Sequence, residues 1–399
     1  MQDRYAGDIG DYGKIGLLCA IQGAGLSVGV NWYKTKPTQQ ERCPDGSFKQ
    51  DDGKHKIPPK LAECDSKLAE TLVGIFEKGE ERSIKDIQEA DLIPGAVYYA
   101  EEISAGKREE WHNNALSALA EANVVFLDPD NGLLVKSVGK GSGQSVKYAF
   151  YEEVESYIRR GQSVVVYNHR SRKDPQIYFE EIYSQLRDLD AIRHKTIKVI
   201  TFPRYSVRDY FMICASDEHC EKMQKALDEL LQGIWGKKEM CRLPLIFRYA
   251  TPEDCGTILH FIRELAIYED MLDQVVATEE LLREWIFEKK KAEVLFACVG
   301  GKEVGFALFF HNVSTFLGRA GLYLEDLFVL PEYRGKGYGK AILKRLARIA
   351  VERGCGRLEW ACLDWNRPSI DFYLSLGAVP MEEWTTYRVT GDTLKNLAQ

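Results

Sequence analysis

The chain has 399 residues, too many for one ordinary hydrophobic core, and 45% hydrophobic against 28% charged residues supplies two soluble cores. Its 60 acidic and 53 basic side chains leave a net charge of -7, which argues against a protein that coats nucleic acid and suits a cationic small substrate. Ten cysteines stand singly without a CxxC pair, the first residues lack a secretory signal's basic and apolar regions, and no apolar run reaches the ~20 residues of a membrane helix, so the expected location is the reducing cytoplasm.

From the start of the chain, LSVGVNWY, AVYYAEEI, NVVFLDPDNGL, SVVVYNH, IKVITF and DYFMICA have the composition of strands, with helical patterns between most of them. The polar, Pro- and Gly-bearing segment from Lys34 to Lys60 is expected to be a long surface loop. Only PRYSVR separates the last two strands, too little for a crossover, so they should form an antiparallel hairpin. The helix EHCEKMQKALDELLQGIW then stops at Gly233 to Gly236, and a charged stretch with a Pro precedes a new strand, LIFRYA. The expected organisation is an α/β chain of two domains, 1–236 and 245–399, joined by a linker at 237–244.

In the second half, Thr251 and Pro252 mark a helix start, and Ile258, Phe261, Ile262 and Leu265 follow at helical spacing. A second helix, opening at Thr278, is expected to bury Leu281, Leu282, Trp285 and Ile286. Strands VLFACVG, VGFALFFHN and GLYLEDLFVL come next, then the turn EYRGKGYG and the helix KAILKRLARIAVERG. The strand RLEWACLD, the short helix PSIDFYLSLG and a last strand EEWTTYRV complete the pattern.

The glycine turn is the chemically telling feature. A Walker loop needs four residues between its glycines and a final Lys-Ser/Thr, and a dinucleotide fingerprint needs G-x-G-x-x-G; neither is present. Gly335, Gly337 and Gly339 alternate instead, so successive backbone N–H groups can share one concavity at a helix N-terminus, a geometry suited to pyrophosphate.

Arg334-x-x-Gly337-x-Gly339 after an apolar strand resembles the coenzyme A loop of the GNAT family of N-acetyltransferases. The similarity spans about Leu245 to Ala398 and is nearest to the spermidine/spermine (diamine) acetyltransferase branch, through RELAIYE, YLEDLFVLPEYRGKGYG, WNRPSIDFY and EEWTTYRV in that order. The resemblance implies a mixed α/β GNAT domain, acetyl-CoA as co-substrate, a direct ternary complex and a homodimer. It places the base at Glu325, acting through water, and the general acid at Tyr373. A free amine near pKa ~10 is mostly protonated at neutral pH, so a base is needed.

By the same resemblance Leu327, Phe328 and Val329 pair with the pantetheine arm. Arg334, Gly335, Lys336, Gly337, Tyr338, Gly339 and Lys340 hold the pyrophosphate, and Asn366 and Ser369 contact the coenzyme. Acceptor contacts fall on Tyr268, Glu269 and Asp326, with Glu359, Trp360 and Ala361 along the next strand. Glu269, Asp270, Asp273 and Asp326, with Asp364 beyond them, form an acidic set fit for a diamine or polyamine. As strand neighbours, Glu325 and Asp326 are expected on opposite faces. An amino-acid side-chain amine or a protein amine is the alternative acceptor.

In the first half, a mostly parallel sheet ending in a hairpin resembles a class I methyltransferase, and RYAGDIGDYGKIGLL resembles the opening of the ribosomal RNA adenine-N6 methyltransferases. FLDPDNGL lies where that family has DPPY, but VGVNWYKT lacks the glycine-rich adenosylmethionine loop and Asp130-Asn131 replaces Pro-Tyr. Three readings stay open for FLDPDNGL: a turn or inactive site, a transferase using S-adenosylmethionine on RNA or DNA, and a divalent-metal site of Asp128, Asp130, Asn131 and His169.

Overall fold

The computed structural model describes residues 1–36 and 55–399, so most of the expected Lys34–Lys60 loop lies outside the described residues. The first half runs through α1 (Ile9–Gly23), β1 (Val28–Asn31), α2 (Pro59–Ala62), α3 (Ser66–Glu77), α4 (Ile84–Glu89) and β2 (Val97–Tyr99). It continues with α5 (Arg108–Ala118), β3 (Val124–Leu127), β4 (Gly132–Leu133), β5 (Tyr148–Ala149), α6 (Tyr151–Arg159) and β6 (Ser163–His169). Then come α7 (Pro175–Arg187), β7 (Ile197–Phe202), β8 (Arg208–Ile213), α8 (Asp217–Gln232) and α9 (Ile234–Lys237).

Six strands make one sheet in the order β2-β1-β3-β6-β8-β7. Strands β2, β1, β3 and β6 are parallel, and β8 runs against both of its neighbours, so the expected β7–β8 hairpin is present. Every residue of β3, β7 and β8 is buried, the pattern of a sheet covered on both faces. One face packs Tyr12, Trp32, Met212 and Leu227, and the other packs Trp111, Tyr157, Tyr183 and Phe211.

The second half comprises β9 (Leu245–Tyr249), α10 (Cys255–Tyr268), α11 (Glu279–Leu282), β10 (Glu293–Val299), β11 (Lys302–Ser314) and β12 (Arg319–Val329). It closes with α12 (Tyr338–Glu352), β13 (Leu358–Trp360), α13 (Arg367–Ser375) and α14 (Gly391–Leu397). Its sheet has the order β13-β12-β11-β10-β9, antiparallel except for the β12–β13 pair. Ile342, Leu346 and Ile349 of α12 pack on one face with Leu295, Ala297 and Leu324. Ile258 and Phe261 of α10 pack on the other with Val294, Phe296 and Phe306.

Three expected elements differ. The helix opening at Thr278 lasts one turn before widening into a π-helical turn over Arg283–Glu288, and only Ile286 of its apolar set is buried. Leu281 and Trp285 are exposed; the Lys289 ammonium lies over the Trp285 ring at 3.9 Å. The strand RLEWACLD shrinks to Leu358–Trp360. EEWTTYRV joins no sheet in this single chain and is exposed throughout, with Trp384 73% and Tyr387 91% accessible.

Candidate active site

The second half holds a cleft of about 760 Å³, and the way β12 is paired creates it. On one side β12 pairs with β11 from Arg319 to Val329, but on the other β13 accompanies it only through Leu322–Leu324. Beyond that the two strands part, and the edge of Glu325–Val329 opens onto the cleft. Leu327, Phe328 and Val329 therefore line it, as expected of a strand that meets an extended ligand arm.

A bulge alters the reading of the two acids. Leu308 faces Asp326 and Phe309 faces Leu324, which leaves Glu325 without an opposite residue. The extra residue breaks the period of two, and both Glu325 and Asp326 line the cleft instead of pointing to opposite faces. Glu325 is exposed and Asp326 partly buried. Desolvation first, then the neighbouring Glu325 and Glu269, push the Asp326 carboxyl up from 3.8 to about 6. Burial also raises Glu269, at the end of α10.

The glycine turn lies between the end of β12 and α12. Gly335 and Gly337 have φ of +75° and +81°, which a side chain would strain, and nothing stands within 4 Å of where a Cβ would be. Gly337 caps α12, so the turn, Tyr338, Gly339 and Lys340 present a helix N-terminus to the cleft. This open cradle fits a pyrophosphate. Arg334 also lines the cleft, but its Nε donates to the Val329 carbonyl at 2.9 Å and its guanidinium lies over the Tyr268 and Phe328 rings at 4.8 and 5.0 Å. Lys336 is outside the lining, its ammonium 4.9 Å from the Tyr333 ring centroid.

Tyr373 projects from α13 into the cleft between Trp360 and Phe372, with ring centroids 5.0 and 5.4 Å away. Burial, with smaller contributions from Cys362, Glu269 and Tyr268, pushes its hydroxyl up to about 12, so it carries a proton at neutral pH. Asn366 is 6% exposed; its Oδ1 accepts from the Ser369 backbone, capping α13, and from the Tyr268 hydroxyl at 3.1 Å. That bond ties the end of α10 to the start of α13 across the cleft.

Tyr268, Glu269, Asp326 and Ala361 line the cleft, but two expected acceptor contacts do not. The Glu359 carboxylate accepts from Asn312 Nδ2 at 2.9 Å and pairs with Arg357 at 2.8 Å, and Trp360 packs on Tyr373. Asp270, Asp273 and Asp364 are likewise outside the lining. Cys362, Leu363, Pro368 and Phe372 complete the wall. Cys362 and Leu363 follow a strand that ends early, where no periodicity fixes a face, while Pro368 and Phe372 lie on α13, whose cleft face the sequence pattern does not mark.

A second cavity, about 220 Å³, lies at the carboxyl ends of β3 and β6, by the point where the sheet order reverses between β1 and β3. Lys14 is buried there and pairs with Asp11 and Asp128 at 2.8 and 2.6 Å. Asp130 pairs with the Met1 amine at 2.8 Å and accepts from Gln2 and Thr35. The acids of FLDPDNGL are thus matched with cations of the chain, and among the described residues no three His, Cys, Asp or Glu converge on a point suited to a metal. Asp8 caps α1 and also faces the cavity; burial and Asp11 push its carboxyl up to about 7 against the pull of Arg208. Beyond β1, where adenosylmethionine needs an open glycine turn, Trp32 and Tyr33 are buried, and the Tyr33 hydroxyl donates to Glu153 at 2.9 Å. These aromatic side chains fill the end of β1, which offers no glycine turn to hold the cofactor.

The acetyltransferase (GNAT) family profile matches residues 262–378, which include the glycine turn, both acids of β12 and Tyr373. Thialysine N-epsilon-acetyltransferase of Bos taurus is 41% identical over 170 residues, covering 39% of this chain and 97% of that protein. L-ornithine N5-acetyltransferase NATA1 of Arabidopsis thaliana is 47% identical over 91 residues, 23% of this chain and 40% of its own. Spermidine/spermine N(1)-acetyltransferase-like protein 1 of Homo sapiens is 35% identical over 162 residues, 38% of this chain and 23% of its own. The chain therefore belongs to the GNAT family, as an N-acetyltransferase that moves an acetyl group from acetyl-CoA to an amine.

Proposed function

We propose that the acceptor is a diamine or polyamine. The observation that carries this reading is the set of three carboxylates, Glu269, Glu325 and Asp326, lining one cleft, two of them brought together by the bulge. Close together, with Asp326 and Glu269 desolvated, they favour a ligand with more than one positive charge. Asp326 and Glu269 hold the ammonium groups while Glu325 takes the proton of the attacking amine through water. Leu327, Phe328 and Val329 position the pantetheine arm along the open strand edge, and the turn from Arg334 to Lys340 holds the pyrophosphate. Tyr373, protonated at neutral pH, supplies a proton to the leaving thiolate. The names of the relatives support this class, since thialysine, ornithine and spermidine all offer a primary amine on a flexible arm.

An amine panel with acetyl-CoA tests the reading: spermidine and short diamines should give the highest kcat/KM, ahead of ornithine, thialysine, lysine and peptides. Tyr373→Phe should lower kcat by about 10²–10⁴-fold and leave coenzyme A binding in place. Turnover confined to amino acids, or an unchanged Tyr373→Phe rate, refutes it.

For the first half we propose a Rossmann-like domain over 1–236, joined by the 237–244 linker to the acetyltransferase domain at 245–399. Its strand order and reversed β8 support a methyltransferase-like ancestry, and the filled end of β1 supports a domain that has lost S-adenosylmethionine chemistry and its RNA or DNA substrate. A homodimer is proposed as well, supported by the exposed apolar row Val379, Met381, Trp384 and Tyr387 beyond α13. A cytoplasmic location is proposed from the nine free cysteines among the described residues.

A further inference from the structure

Helix α12 begins at the glycine turn, and its opposite side is held by the first half of the chain. Arg345, 7% exposed, donates from Nε and a terminal nitrogen to the two oxygens of Glu180 on α7, at 2.6 and 2.7 Å. One turn further on, Arg348 makes the same two-pronged bond to Asp174 at 2.8 and 2.9 Å. Asp174 is at the same time the N-cap of α7, accepting from the Gln176 backbone at 2.9 Å. The Gln176 side chain donates to the Leu245 carbonyl of β9 at 3.2 Å. Ile246 of β9 shares a core with Tyr183 of α7 and Ile197 of β7. Nearby, a Cβ on Gly301 would lie 3.1 Å from the Ile197 carbonyl, so the β10–β11 turn also abuts β7 closely.

Arg345 lies eight residues from Gly337, so at 1.5 Å per residue the lever is about 12 Å, and a tilt of about 5° moves the turn by about 1 Å. That displacement is as large as the tolerance of a hydrogen bond to phosphate. Paired two-pronged arginine–carboxylate bonds fix direction as well as distance.

We propose that α7 is a built-in brace for the coenzyme helix, in which Glu180 and Asp174 are positioning residues that set the pitch of α12 and so the affinity for acetyl-CoA. The fused first half would then serve the acetyltransferase without chemistry of its own. The proposal rests on the reading of the Gly335–Gly339 turn as the pyrophosphate site.

The test uses the full chain with Glu180→Gln, the milder Glu180→Asp, and the exchange Glu180→Arg with Arg345→Glu. Steady-state kinetics with acetyl-CoA and a diamine are run beside calorimetric titration of coenzyme A. Glu180→Gln should raise the KM for acetyl-CoA and the Kd for coenzyme A about tenfold, with kcat and the amine KM within about twofold. The exchange should recover most of the affinity, and Glu180→Asp should show the same signature at smaller size. An unchanged acetyl-CoA KM in Glu180→Gln, or in Glu180→Asp should the former not fold, overturns the brace. So does a fall in kcat alone, the mark of a smaller folded fraction. Gly337→Val serves as the control on the turn: it should abolish coenzyme binding, and retained binding would refute the pyrophosphate reading and the brace with it.

Discussion

Replacing Asp326 with asparagine removes a charge that the fold holds at a cost. The carboxyl is pushed from 3.8 to about 6, chiefly by desolvation and then by Glu325 and Glu269, and no cation among the described residues pairs with it. A raised value in the folded state means that folding tightens the hold on the proton. The residue therefore favours the fold below pH 4, and that contribution is lost as the pH rises through about 6. The gap between 3.8 and about 6 corresponds to about 3 kcal/mol of destabilisation at pH 7.5, an upper bound because Asp326 retains some solvent contact. Asp326→Asn should thus raise the melting temperature of the acetyltransferase transition by about 3–8 °C at pH 7.5, and by far less at pH 4. Scanning calorimetry at both values measures it, with added coenzyme A marking which transition belongs to this half. The same variant should raise the KM for a diamine, because the cost in stability is what supplies a desolvated charge to the ammonium. A melting point unchanged or lowered at pH 7.5, or a rise that is the same at both pH values, would refute the reasoning.

Calorimetric titration of the protein with S-adenosylmethionine should give no binding, since buried Trp32 and Tyr33 fill the end of β1; measurable affinity would restore a methyltransferase role to the first half. Sedimentation of the full chain should show a dimer, and Trp384→Ser with Tyr387→Ser should shift it toward monomer by removing the exposed apolar row. A wild-type chain sedimenting as a monomer would refute the dimer.

The features legible in the sequence are those whose cause is local. Alternating Gly335, Gly337 and Gly339 announce a turn in which two residues take positive φ, and the helix behind them follows from the 3.6-residue spacing of Ile342, Leu346 and Ile349. Five residues between β7 and β8 leave room only for a hairpin, whatever the rest of the chain does. Tyr373 and Asn366 came from the family resemblance and not from any local pattern, and the cleft brings them together with the glycine turn. What only the tertiary structure decided depends on partners far away in sequence. The bulge that turns both Glu325 and Asp326 into the cleft is a mismatch of register between β11 and β12, and no pattern within β12 encodes it. Glu359 is held away from the cleft by Arg357 and by Asn312 on β11, two strands away across the sheet. The expected final strand lacks a sheet edge in one chain, because a strand exists only where another backbone completes its hydrogen bonds.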